Sequence, residues 1–81
     1  MAISLGNCWP NPFNPRTTIS YNLPVTSRIS LRIFDISGRL VKTLLNGEMV
    51  EAGGKEIVWR GRDNSGRQAA SGTYFYRLDV G

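Results

Sequence analysis

The chain has 81 residues, 41% of them apolar and 10% aromatic, which suits one small domain with a compact core. Nine glycines and four prolines favour frequent turns over long helices. With no histidine and a single cysteine, Cys8, a His-based catalytic triad and an intramolecular disulfide are excluded, and a zinc site lacks its usual ligands. The net charge of +4 is spread along the whole chain. Only Arg60 and Arg62 lie close together, and Asp63 follows them. This is the pattern of a solvated basic surface and not of a nucleic-acid stripe, so no nucleic-acid partner is expected.

Met1 to Leu5 has no cationic start and no long apolar run, so it is not expected to be a signal peptide. Export information, if the domain works outside the cytoplasm, is expected elsewhere in a longer parent. No stretch approaches the apolar length of a membrane-spanning helix.

Residues 7–15 read NCWPNPFNP. Three prolines in six residues remove backbone donors and bar both a helix and a central strand. Trp9 and Phe13 sit in this rigid strip, either as a recognition segment or with Phe13 plugging the open end of a sandwich; the second reading is preferred. In Thr17 to Leu23, Ile19, Tyr21 and Leu23 alternate with Thr18, Ser20 and Asn22, which predicts a half-buried strand ended by Pro24. Arg28 to Asp35 carries the clearest alternation, with Ile29, Leu31 and Ile33 on one side. Arg39 to Leu45 predicts a third strand whose inward face is ambiguous between Leu40/Leu44 and Val41/Leu45.

Asn46-Gly47 is turn chemistry suited to positive φ and predicts a break before a short edge strand, Glu48 to Glu51. Gly53-Gly54 predicts another turn. Lys55 to Arg60 follows as a strand with Ile57 and Trp59 inside, then Arg67 to Ala70 as a short return segment. Thr73 to Val80 is the last strand, with Tyr74, Tyr76 and Leu78 inward.

The spacing Asp-x-Ser-Gly-Arg occurs twice, at Asp35 to Arg39 and at Asp63 to Arg67. Asp at a first turn position accepts from backbone N–H groups, and glycine at the fourth takes positive φ. Both copies therefore predict a type I turn closed by a G1 bulge, with Gly38 and Gly66 in the left-handed region. Gly72, in Ala70-Ser-Gly72, marks a further bend. Six to seven short strands with turns every eight to twelve residues predict an all-β, immunoglobulin-like antiparallel sandwich over residues 1–81. Its expected core is Ile19, Ile29, Leu31, Ile33, Ile57, Trp59, Tyr74, Tyr76 and Leu78. Trp59 and Tyr74 take the place of the usual core disulfide, and Tyr74 is placed as a tyrosine corner would be.

The six acids, Asp35, Glu48, Glu51, Glu56, Asp63 and Asp79, do not make a catalytic set, because Asp35 and Asp63 are turn acids. Asp63-Asn64-Ser65-Gly66 matches only the start of a calcium loop and lacks the later bidentate glutamate. Ser37, Ser65 and Ser71 have no base beside them. The expectation is no catalytic, metal or cofactor site.

Three segments carry a family resemblance: PNPFNPRTTISYNLP at Pro10 to Pro24, IFDISGRLVKTL at Ile33 to Leu44, and VWRGRDNSGRQAASGTYFYRL at Val58 to Leu78. Together, in this order, they resemble the C-terminal sorting domains of the type IX secretion system. They are similar also to the immunoglobulin-like domain of the flagellar hook-capping protein. The resemblance implies a seven-stranded sandwich at the C-terminal part of a larger exported bacterial protein, secreted or held at the cell surface. It implies a non-catalytic sorting or anchoring role with the outer-membrane secretion machinery as partner. The alternative is a structural adhesion or assembly module, or a spacer working with neighbouring domains of its parent.

Family domains continue past the position of Gly81 into a final basic-apolar strand. Without that neighbour, Thr73 to Val80 is expected to be an open edge, with Thr73, Phe75, Arg77 and Asp79 available to a partner. An open edge recruits other strands. Homodimerisation through it is the first expectation, and fold-back of residues 1–8 is the second.

Overall fold

The computed structural model describes residues 2–8, as backbone, and residues 16–81. Six strands stand among these: β1 (Ala2–Cys8), β2 (Thr17–Leu23), β3 (Ser27–Phe34), β4 (Leu40–Val50), β5 (Gly53–Trp59) and β6 (Tyr74–Val80). All pairings are antiparallel. One sheet has the order β1-β6-β3-β4 and the other is the pair β2-β5. Among the described residues, no helix is long and apolar enough to cross a membrane. The Pro-rich strip with Trp9 and Phe13 lies outside the described residues.

Period-two alternation puts one face of β2, β3, β5 and β6 inward, and the inner faces of the two sheets meet as a single core. Ile19 and Leu23 of β2 and Trp59 of β5 come from one sheet. Ile29, Leu31 and Ile33 of β3 and Tyr74 and Leu78 of β6 come from the other. Ile57 and Tyr76 are half-buried and pack against this cluster. At the sandwich rim, burial and the nearby Glu48 carboxylate both raise the pKa of the Tyr21 hydroxyl.

The strand pairings correct the expected glycine turns and the expected open edge. First, Asn46-Gly47 does not separate two strands. It lies inside the continuous β4, where eight residues of β3 face eleven of β4. Three register shifts absorb the excess, between Ile29 and Leu31, Leu31 and Arg32, and Ile33 and Phe34. Each is a β-bulge, which bends the strand and lets side chains leave strict alternation.

The ambiguous inward face follows from this: Val41, Leu44 and Leu45 all pack against the core, while Leu40 is 45% exposed. Gly47, with φ +66°, turns its N–H onto Ser30 Oγ at 2.9 Å. The Arg28 guanidinium donates to the Gly47 carbonyl, and Arg32 donates to Asn46 Oδ1 at 3.1 Å. Three alternate residues of β3 therefore brace the bulge, two through the Gly47 backbone and one through the Asn46 side chain. Likewise Gly53-Gly54 does not form the turn; the two residues open β5, with Gly53 facing Leu23 and Gly54 facing Asn22.

Second, β6 is not an edge. It lies between β3 and β1, and Ala2 to Cys8 pair with Val80 to Tyr74 along the flank that was expected to be open. The backbone groups of Phe75, Arg77 and Asp79 face a strand on either side. Thr73 immediately precedes β6. The expected homodimer edge is thus taken up within the chain, by the second of the two expected routes. The physical reason is economy of chain entropy, since an intramolecular strand outcompetes one that must be drawn from solution.

Candidate functional site at the twin-turn end

The two Asp-x-Ser-Gly-Arg segments fold alike. The Gly38 N–H donates to the Asp35 carbonyl at 3.0 Å, and the Gly66 N–H donates to the Asp63 carbonyl at 3.0 Å. The Asp35 N–H donates to the Arg39 carbonyl at 3.0 Å, and the Asp63 N–H to the Arg67 carbonyl at 2.9 Å. Gly38 and Gly66 both have φ +87°. This is the type I turn with a G1 bulge in both copies.

Each aspartate serves its own turn. Asp35 Oδ1 accepts from the Ser37 N–H, the Ser37 hydroxyl and the Arg39 N–H at 3.0, 2.6 and 3.0 Å. Asp63 Oδ1 accepts from the Ser65 N–H, the Ser65 hydroxyl and the Arg67 N–H at 2.9, 2.7 and 3.0 Å. Hydrogen bonding to the charged form holds both carboxyls below the usual aspartate value. The serine hydroxyl is the largest cause, followed by the arginine N–H. Among the described residues, no group of three His, Cys, Asp or Glu side chains converges as a metal site would.

The two copies differ at one position, and that difference sets their roles. The first copy has Ile36, which is 76% exposed at the tip between β3 and β4. The second has Asn64. Its N–H donates to the Val41 carbonyl at 2.9 Å, and its Oδ1 accepts the Thr43 N–H at 3.0 Å. A single asparagine thus acts as a one-residue strand on the outer edge of β4 and satisfies two of its backbone groups. The composition of the second turn was visible in the sequence, but this clamp was not. The only signal was a polar residue where the first copy has an apolar one.

The segment between β5 and β6 is closed on itself. Arg62 and Gln68 form an isolated antiparallel bridge. The Ala69 N–H and Gln68 Nε2 both donate to the Gly61 carbonyl, at 2.7 and 3.2 Å, and Arg62 donates to the Gly66 carbonyl at 2.9 Å. Trp59 Nε1 donates to the Arg62 carbonyl at 2.9 Å. Tyr74 donates its hydroxyl to the Ala70 carbonyl four residues upstream at 2.6 Å, the bond that defines a tyrosine corner. Gly72 lies in the bend just before β6. A shallow depression at this end brings both turns together, with Asp35, Arg39, Asp63 and Tyr74 on its walls. The residues there are engaged in holding backbone, and the arrangement offers surface for contact.

These features define an immunoglobulin-like sandwich domain stabilised by an aromatic core and a tyrosine corner. The FlgD Ig-like domain model matches residues 14–80, and the chain belongs to that family. Among solved structures it is similar to FlgD from P. aeruginosa, with 27% identity and a TM-score of 0.80. The match covers 91% of this chain and 55% of the FlgD chain, so the chain spans about half the length of that relative. No curated protein matches it.

Proposed function

We propose that this domain is a non-catalytic assembly module, comparable to the immunoglobulin-like part of the hook-capping protein and working beside other domains of a larger exported protein. The observation that carries this reading is the match over residues 14–80 to the FlgD Ig-like family, with the same fold within a longer solved FlgD chain. The geometry supports it. The most distinctive polar residues, Asp35, Asp63, Asn64 and Tyr74, are used to rigidify turns and a strand edge. A rigid sandwich with clamped loops suits a spacer or docking body, whose work is done by its faces.

The second reading is a sorting or anchoring domain that directs its parent to the outer-membrane secretion machinery and the cell surface. It rests on the ordered motifs PNPFNPRTTISYNLP, IFDISGRLVKTL and VWRGRDNSGRQAASGTYFYRL, which resemble type IX sorting domains. Deleting this domain from its parent separates the two. An assembly module leaves the parent exported but absent from its high-molecular-weight complex. A sorting domain leaves the parent trapped in the periplasm. A parent that is exported and assembled normally overturns both.

A further inference from the structure

The outward face of the β6-β3 pair combines an apolar strip with a cationic cluster. In the register, Phe34 stands opposite Phe75, Arg32 opposite Arg77, and Ser30 opposite Asp79. Leu40 of β4 stands on the other side of Phe34. Phe75 is 40% exposed, and a shallow depression runs between Phe34, Ile36, Phe75 and Arg77. Like charges directly opposite on a sheet repel, and a single carboxylate answers both here. Arg77 Nε lies 2.9 Å from Asp79 Oδ1, whereas Arg32 reaches Asp79 Oδ2 only at 4.0 Å. Arg28, two positions further from the phenylalanines on the same face, adds a third cation.

We propose that this face docks an extended acidic segment of a partner protein, with an aromatic or branched apolar anchor beside two or three carboxylates. The anchor fills the depression between Phe34, Ile36 and Phe75. The carboxylates reach Arg77 and Arg32, supplying the negative charge that Asp79 alone divides between them. Arginine with aromatic residues is the composition of interface hot spots. A second copy of this chain is the poorer occupant, because an isologous pairing brings two faces of the same net positive charge together. A nucleic-acid strand is also poorer. It needs a continuous basic track, while Ser30 and the Asp79 carboxylate stand between Arg28 and the Arg32–Arg77 pair. This proposal does not depend on the role of the parent protein.

The test is a titration of the nitrogen-15-labelled domain, followed by amide shifts, with three probes. These are the acetylated, amidated peptide Leu-Trp-Glu-Asp-Glu, its counterpart Leu-Trp-Lys-Lys-Lys, and octathymidylate. The acidic peptide is expected to bind with Kd of about 1 mM or tighter, shifting Arg32, Phe34, Phe75 and Arg77 and weakening with salt. Arg77→Glu is expected to weaken the acidic peptide at least about tenfold and to favour the lysine peptide. Phe75→Ser is expected to weaken both, with its amide spectrum otherwise unchanged. The proposal is overturned by equal binding of both peptides, by shifts elsewhere on the domain, by tighter binding of octathymidylate, or by no shift with the acidic peptide.

Discussion

The Trp59 and Tyr74 rings meet edge to face, with centroids 5.1 Å apart and planes at 68°. Both rings belong to the buried core, and their polar tips both reach into the segment that joins them. Trp59 Nε1 holds the Arg62 carbonyl and the Tyr74 hydroxyl holds the Ala70 carbonyl. The segment from 60 to 73 is therefore fastened at both ends by two aromatic residues of the core.

Truncating Trp59, 1% exposed, is expected to cost about 3–5 kcal/mol as Trp59→Ala, from lost burial and the cavity left behind. Tyr74→Phe keeps the ring and removes the hydroxyl that bonds the Ala70 carbonyl. It is expected to cost about 1 kcal/mol, measured as a lower urea midpoint at unchanged slope. A Tyr74→Phe domain as stable as the wild type removes the tyrosine corner from the account.

Gly38 and Gly66 share φ +87°, and a Cβ added at either meets no other atom within 4 Å. The penalty for substitution there is consequently one of backbone conformation and not of crowding. Gly66→Val is expected to cost more than about 1 kcal/mol, because a β-branched residue resists the left-handed region. Gly66→Asn, which tolerates that region, is expected to cost clearly less. Equal losses for Val and Asn in urea denaturation contradict the conformational explanation.

Asn64→Ala removes the acceptor for the Thr43 N–H but keeps the backbone bond to Val41. The expected cost is about 1 kcal/mol, with faster hydrogen exchange at the Thr43 amide than in the wild type. Uncovering part of the β4 edge should also raise the tendency to aggregate, which light scattering over a concentration series reads directly. Unchanged exchange at Thr43 argues against the clamp.

Acid should loosen both turns. A carboxylate whose folded pKa lies below its unfolded value stabilises the fold above the unfolded value, about 4. That contribution disappears as pH falls through the lower folded pKa. Asp35 and Asp63 are both lowered, chiefly by the Ser37 and Ser65 hydroxyls. The urea midpoint of the wild type is expected to drop below about pH 4. A double Asp35→Asn, Asp63→Asn variant, whose side-chain oxygens still accept the turn bonds, should show a shallower drop. Parallel pH curves for the two proteins count against these aspartates as the source.

Much of the architecture was legible before any coordinates. Strict alternation in Ile29-Ser30-Leu31-Arg32-Ile33 leaves one way to bury a strand, since a slip of one residue turns every apolar side chain to water. The repeated Asp-x-Ser-Gly-Arg specified two turns because its bonds lie within five consecutive residues. Such local chemistry is written in the chain. Three features are not local, and only the tertiary structure decided them. Whether Asn46-Gly47 ends a strand or bulges inside one depends on Arg28, Ser30 and Arg32 of the facing strand. Whether Asn64 is a turn filler or an edge clamp depends on β4 lying beside it. Whether β6 has a free flank depends on where Ala2 to Cys8 settle. In each case the deciding hydrogen-bond partner is distant in sequence, and periodicity carries no information about which distant backbone will arrive.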